Sequence, residues 1–170
     1  MIIWLIGLSG AGKTTIGRSL YKRLKSRNSG TVFVDGDELR EVFSYDNIAD
    51  AHTIEGRRLN GERILSICKW LDGQNIDVVC SILSIFPDLR RSAREIFSCY
   101  REVFIDVPLE TLIQRDSKQI YSRALSGNLE NVVGIDIPFP KPQESDLTIS
   151  NNDNDHNIDK LVEQIMSVLK

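Results

Sequence analysis

The sequence predicts a three-layer α/β fold: a five-stranded parallel sheet with helices on both faces and a lid segment, forming one domain over residues 1–170. Three observations predict it. Five short apolar runs rich in β-formers recur along the chain, segments of helical periodicity separate them, and a glycine-rich turn joins the first run to the first helix. Strands alternating with helices argue for a parallel sheet covered on both faces. The first run, "IIWLI" (2–6), and the third, "DVVCSIL" (77–83), are almost continuously apolar, which suits strands buried on both sides. "TVFVD" (31–35), "EVFID" (102–106) and "DLTIS" (146–150) supply the others. Helices are expected over 15–25 and 57–71. Residues 116–142 follow neither period, contain Gly127 and Gly134, and end in "IPFPKP", so they read as a mobile excursion rather than core, in functional terms a lid. "SNNDNDHN" (150–157) is a polar loop, after which Ile158, Leu161, Val162, Ile165, Val168 and Leu169 form the apolar stripe of a closing helix.

Composition narrows the function classes. With 41% hydrophobic and 26% charged residues the chain reads as a soluble globular protein, and its net charge of −3 gives no global attraction to nucleic acid or to an anionic membrane. Any anion site must be local. Cys68, Cys80 and Cys99 have no CxxC spacing and sit in apolar or mixed surroundings, which reads as buried thiols in a reducing compartment. His52 and His156 are the only imidazoles, too few for an ordinary zinc site. No apolar run approaches the roughly 20 residues that span a bilayer, and no charged region precedes the first short apolar run; a cytoplasmic location is expected.

The first chemical motif lies within "IGLSGAGKTT" (6–15), where Gly7-Leu8-Ser9-Gly10-Ala11-Gly12-Lys13-Thr14 satisfies G-x-x-x-x-G-K-[ST] between a strand and a helix. Glycines let the backbone curl until successive amide N–H groups converge on phosphate oxygens, and the following helix adds its positive end. Lys13 is placed to reach the β- and γ-phosphates and Thr14 to hold Mg²⁺, which makes the predicted fold that of a P-loop NTPase. The guanine-reading NKxD pattern is absent and "FIDVP" lacks the DxxG of a GTPase switch, so a small-molecule kinase fits better than a switch protein.

"VDGDELR" then sets Asp35 and Asp37 at the C-terminal end of the second strand, where open α/β sheets bind ligands. Phosphoryl transfer to an alcohol needs a carboxylate to orient the hydroxyl and to help hold Mg²⁺. Asp-Gly-Asp is also a common turn, but its position beside a phosphate loop favours the catalytic reading. On the helix from Arg57, Ile64, Ile67, Cys68 and Leu71 form an inward stripe that extends back through Asn60 to Arg57. Polar residues on such a stripe need partners, and an anionic ligand is one candidate. Arg40, Arg90, Arg91 and Arg94 are further cations for phosphates or for solvent, with Arg90 and Arg94 one helical turn apart.

These motifs resemble the adenylylsulfate kinase family, P-loop enzymes that transfer phosphate from ATP to the ribose 3'-hydroxyl of a nucleotide. The resemblance runs almost end to end, through "IGLSGAGKTT", "VDGDELR", "RRLNGER" (57–63), "EVFIDVPLETLIQRD" (102–116), "YSRALSGNL" (121–129) and "GIDIPFPKP" (134–142). It implies ATP and Mg²⁺ as cofactors, with Gly7, Ser9, Gly10, Ala11, Gly12, Lys13, Thr14 and Thr15, joined by Arg115 and Lys118, on the ATP side. It implies Asp37 as the acidic residue near Mg²⁺ and the acceptor hydroxyl, with Asp35 beside it. Arg40, Arg57, Asn60 and Ser84 match acceptor-holding positions, and His52, Val132, Gly134 and Ile135 fall on the same side. Family members are often dimers, so a homodimer is an expectation.

Departures from the family pattern fall mostly on the acceptor side. Two phenylalanines that sandwich adenine in members accepting adenylyl sulfate correspond here to His52 and Val132. Stacking contributes about 1–3 kcal/mol per face, so their absence weakens the case for a purine. Gly56, Ile85, Glu38 and Glu130 stand where the family has aspartate, proline, asparagine and lysine. Retained transfer chemistry with a changed acceptor matches a variant of the family that phosphorylates cytidine diphosphoramidate, on the route to the phosphoramidate decoration of bacterial capsules. Adenylyl sulfate is the alternative acceptor, and a nucleotide-binding regulator that has lost catalysis is the alternative of another class.

Overall fold

The computed structural model describes residues 1–44, 50–116, 118–152 and 157–169. Its elements are β1 (Ile2–Ile6), α1 (Lys13–Lys25), β2 (Thr31–Asp35), α2 (Gly36–Val42), α3 (Ile54–Asp72), β3 (Asp77–Ile82), α4 (Pro87–Ile96), β4 (Tyr100–Asp106), α5 (Leu109–Arg115), α6 (Ile120–Leu125), β5 (Leu147–Ser150) and α7 (Ile158–Val168). The five strands form one parallel sheet in the order β2-β3-β1-β4-β5.

Period-two alternation along the central strand builds both layers of the core. Ile3 and Leu5 face Ile16 and Leu20 of α1 and Leu161, Val162 and Ile165 of α7, while Ile2, Trp4 and Ile6 face Ile64 and Cys68 of α3 and Ala93 and Phe97 by α4. All five β1 residues are fully buried, and each such aliphatic side chain contributes about 1.5–3 kcal/mol by leaving water. Chain reversal at the strand ends brings the loop after β1, the start of α2 and the end of β3 to one edge of the sheet.

Three short helices, α2, α5 and α6, carry no sequence periodicity because each has fewer than two full turns over which to repeat one. α2 is instead started by its cap, Asp35 accepting from the Asp37 amide at 2.9 Å. Along α3 the buried line runs through Gly56, Asn60, Gly61, Ile64 and Cys68, leaving Ile67 at its half-exposed margin. Residues 116–142 are not all excursion, which corrects the sequence expectation. Tyr121, Val132, Val133 and Ile137 are 2–6% exposed, and the last two pack with Ile85. Single apolar residues carried on turns bury well without any period. Asp136 fixes that turn by accepting from the amides of Asn131 and Val132, each at 2.5 Å. Cys68 and Cys80 are buried free thiols, whereas Cys99 is only partly covered. Among the described residues, no helix is long and apolar enough to cross a membrane. His156 lies outside the described residues, as do 153–155 of the polar loop before α7.

Candidate active site

A cleft of about 690 Å³ opens at the sheet edge where the β1–α1 loop, α2, the N-terminal half of α3 and residues 118–133 meet. The loop takes its course because of glycine at particular places. A Cβ on Gly7 would stand 2.7 Å from the Ile105 carbonyl oxygen, and one on Gly12, whose φ is +97°, would stand 2.6 Å from Asn151 Nδ2. Lys13 opens α1 and turns its Nζ onto the Leu8 carbonyl at 2.8 Å. Burial pushes its pKa down to about 8, against the opposing pull of Asp37 and Asp35.

The two aspartates are separated by their environments. Asp35 is 6% exposed at the end of β2 and accepts from Thr14 Oγ1 at 2.7 Å, so strand and phosphate loop are joined through one carboxylate. Asp37, in the first turn of α2, accepts from Arg40 Nη1 at 2.9 Å and from Lys118 Nζ at 3.3 Å across the cleft. Burial works against its charge, yet Lys118 and then Arg40 hold its carboxyl below the usual range. Thr14 therefore sits with Asp35, and Asp37 sits with the cations.

Beyond the aspartates the cleft holds polar atoms without protein partners. Arg40 is 6% exposed, and its Nε has no hydrogen-bond partner among the described residues. Asn60, 3% exposed, donates to the Gly36 carbonyl at 3.3 Å, which leaves its buried Oδ1 unsatisfied. Such groups cost about 1–3 kcal/mol each unless a ligand or water meets them. Arg57 donates to the carbonyls of His52 (2.8 Å) and Asn131 (2.7 Å), tying α3 to the far wall. Burial, and then the neighbouring Arg40, bring its pKa down to about 10.

Of the residues expected on the ATP side, Ser9, Gly10, Gly12, Lys13, Thr14, Thr15 and Lys118 line the cleft. So do Asp35, Asp37, Arg40, His52, Arg57, Asn60, Ser84 and Val132. Gly7 and Ala11 shape the loop from behind. Arg115 donates to the Asn152 carbonyl at 3.0 Å and does not line the cleft. Gly134 and Ile135 line a separate cavity of about 340 Å³ with Leu8, Phe104 and Phe139. Arg90 and Arg94 are corrected outright as phosphate partners. Arg90 is buried against the Ser84 carbonyl (2.8 Å) and Glu102 (3.9 Å), and Arg94 engages Asp146 (3.1 Å) and Glu102 (3.8 Å). Arg91 is exposed and does not line the cleft. An i, i+4 pair was correctly placed on one helix face, but the face meets a buried carboxylate on β4 rather than the ligand side.

Sequence reading missed the apolar wall formed by Phe86, Leu89 and Val133 together with Ile85. It also missed Tyr121, whose hydroxyl donates to the Ser9 carbonyl at 2.9 Å, and Asn151, whose Nδ2 donates to the Ala11 carbonyl at 2.9 Å. No residue pattern marks either: one lies in the aperiodic segment and the other at the edge of the polar loop.

A lysine-bearing anion cradle, a threonine–aspartate oxygen pair and a second carboxylate over a roomy cleft define a P-loop phosphotransferase. Residues 1–150 match the model of the family described as adenylylsulphate kinase. The chain belongs to that family. It is 39% identical over 168 residues to the cytidine diphosphoramidate kinase of Campylobacter jejuni subsp. jejuni serotype O:2, covering 99% of this chain and 95% of that one. It is 36% identical to the adenylyl-sulfate kinase of Halothermothrix orenii, covering 86% of this chain and 78% of that one. Among solved structures it superimposes on the Mycobacterium tuberculosis APS kinase CysC in complex with AMPPNP and APS with a TM-score of 0.83, at 28% identity, over 99% of this chain and 96% of that one.

Proposed function

We propose that the chain transfers the γ-phosphoryl group of ATP to the ribose 3'-hydroxyl of cytidine diphosphoramidate. The single observation that carries the choice of acceptor is the cleft wall itself. The positions that hold an aromatic pair in kinases of adenylyl sulfate are His52 and Val132, so one plate is an imidazole and the other is aliphatic. A pyrimidine, smaller than adenine, packs against His52 and the Ile85–Phe86 wall without a second ring. The full-length similarity to a cytidine diphosphoramidate kinase supports the same reading.

The loop amides and Lys13 bind the β- and γ-phosphates and stabilise the charge of the transferring group. Thr14 Oγ1 and the Asp35 carboxylate, 2.7 Å apart, form the all-oxygen pair that suits Mg²⁺; when bound, the ion neutralises phosphate charge. Asp37 faces the acceptor and orients the 3'-hydroxyl for in-line attack. Arg40 Nε and Asn60 Oδ1, both lacking partners among the described residues, bind the acceptor nucleotide, with Arg57 and Ser84 lining the same cleft. Lys118 and the rest of 118–131 close over the donor and exclude water, which limits hydrolysis. Retention of Lys13, Thr14, Asp35 and Asp37 in contact-forming positions argues against a regulator without catalysis, and ATP as donor fits a cytoplasmic setting.

The test offers cytidine diphosphoramidate and adenylyl sulfate side by side at equal low concentration with ATP and Mg²⁺. Preferential 3'-phosphorylation of the cytidine nucleotide is expected. Preference for adenylyl sulfate would overturn the acceptor assignment, and turnover of neither would restore the regulator reading.

A further inference from the structure

The anion cradle depends on peptide planes facing the correct way, and two residues outside the cleft lining hydrogen-bond to its carbonyls. In a trans peptide the carbonyl of one residue and the N–H of the next point in opposite directions. Tyr121 Oη grips the Ser9 carbonyl at 2.9 Å and Asn151 Nδ2 grips the Ala11 carbonyl at 2.9 Å. Neither residue lines the cleft, so both carbonyls are drawn away from it. The N–H groups that follow, of Gly10 and Gly12, are thereby turned towards the cleft, and among the described residues they donate to no backbone carbonyl.

Both anchors are buried. Tyr121 is 2% exposed within the cluster that includes Ala11 and Leu112, and α6, which carries it, is started by Asp116 accepting from the Tyr121 and Ser122 amides at 3.0 and 2.8 Å. Asn151 is 6% exposed, and it approaches the loop at Gly12, where any Cβ would collide with it. A ring hydroxyl and a carboxamide are both neutral, so they orient the loop without competing with its positive field. A second consequence concerns α6. Lys118, two residues before it, crosses the cleft to Asp37, and Arg123 on it lines the cleft. The element that carries the lid is therefore fastened directly to the phosphate loop.

We infer that Tyr121 and Asn151 are positioning residues that fix the Gly10 and Gly12 amides for phosphate binding, and that Tyr121 couples this cradle to the lid helix. The inference rests on the loop being the ATP site but not on the identity of the acceptor.

The test titrates the imido analogue of ATP, with Mg²⁺ and no acceptor, into wild type, Tyr121→Phe and Asn151→Leu. Acceptor KM is measured at saturating ATP, and unfolding midpoints are recorded alongside. Loss of one oriented amide is expected to weaken the analogue about three- to tenfold in each variant, with acceptor KM within twofold of wild type. An unchanged dissociation constant in Tyr121→Phe, which keeps the buried ring, would overturn the inference. So would equal losses in analogue affinity and acceptor KM, since general loosening of the fold moves both. Binding of the analogue by wild type separately checks the ATP site, and acceptor choice does not enter.

Discussion

Replacing Lys13 by methionine separates what the phosphate loop does for catalysis from what it costs the fold. In the native chain Lys13 has its pKa lowered from 10.5 to about 8, chiefly by burial. That lowering corresponds to about 3 kcal/mol of penalty on the charged form, which screening on the open side of the cleft reduces to roughly 1–2 kcal/mol. The sign follows from proton counting. Between pH 8 and 10.5 the unfolded chain binds more protons at this residue than the native one, so wild-type stability gains from this site as pH rises through that window. Below pH 8 the penalty is fully present; above 10.5 it is absent. Lys13→Met removes the titration, so its stability relative to wild type should be about 1–2 kcal/mol more favourable at pH 7 than at pH 10.5, or roughly 2–8 °C in the difference of midpoints for a chain of this size. The bond to the Leu8 carbonyl is lost in the variant at both pH values, and it is the weaker bond at pH 10.5, where the native amine is neutral, which trims the difference towards the lower end of that range. Calorimetry of both proteins without nucleotide, at pH 7, 8.5, 9.5 and 10.5, measures the difference, and phosphoryl transfer should be abolished throughout. A stability difference that stays flat across this range would refute the burial argument, and residual transfer near the wild-type rate would refute the role of Lys13.

Asp37→Asn should collapse kcat with ATP still bound, whereas Asp35→Asn, which disturbs the partner of Thr14, should chiefly raise the Mg²⁺ concentration needed for half-maximal rate; magnesium titrations of both variants distinguish the two. Restoring the second aromatic plate with Val132→Phe should improve kcat/KM for adenylyl sulfate by about 5- to 150-fold for the one added stacking face, read in competition with cytidine diphosphoramidate. Glu102→Ala should cost about 3–5 kcal/mol of stability by stranding buried Arg90 and shortening the network around Tyr100, which urea unfolding measures, while ATP affinity stays within twofold.

The fold was legible wherever a pattern had room to repeat. All five strands show as short apolar runs of β-formers, the helices now seen as α1, α3 and α7 carry enough residues for period 3.6 to show, and the phosphate loop declares itself through glycines whose missing Cβ atoms the geometry requires. Short helices were not legible, since α6 offers only six residues and its first turn is held by Asp116, which accepts from the Tyr121 and Ser122 amides. Of the site, the charged residues facing the cleft were readable as motifs, but what each charge pairs with was not. Arg57 and Arg90 look alike in sequence, yet one is drawn to carbonyls on the cleft wall and the other to Ser84 and the buried Glu102. That difference is set by which strand lies beneath each helix, a property of topology rather than of local sequence. Tyr121 and Asn151 were invisible for the same reason, being 112 and 140 residues from the loop atoms they hold.

The charges of the free cleft are balanced against one another, and this sets the order in which ligands change them. Lys13 rests on the Leu8 carbonyl, and Asp37 is shared between Arg40 and Lys118. A polyphosphate entering the loop gives Lys13 and Lys118 a stronger partner than either now has, because charge-assisted bonds to phosphate exceed a single amide carbonyl or a half-exposed ion pair. Withdrawal of Lys118 leaves Asp37 with Arg40 alone and gives it spare accepting capacity for a hydroxyl proton. In the reaction proposed above, donor binding would therefore prepare Asp37 to orient the acceptor, and Lys118, in meeting ATP, would be the residue that releases it. Arg40 Nε and Asn60 Oδ1, which lack hydrogen-bond partners among the described residues, line the same cleft as Asp37, so an acceptor held there as proposed would satisfy them by placing its own polar groups near that carboxylate.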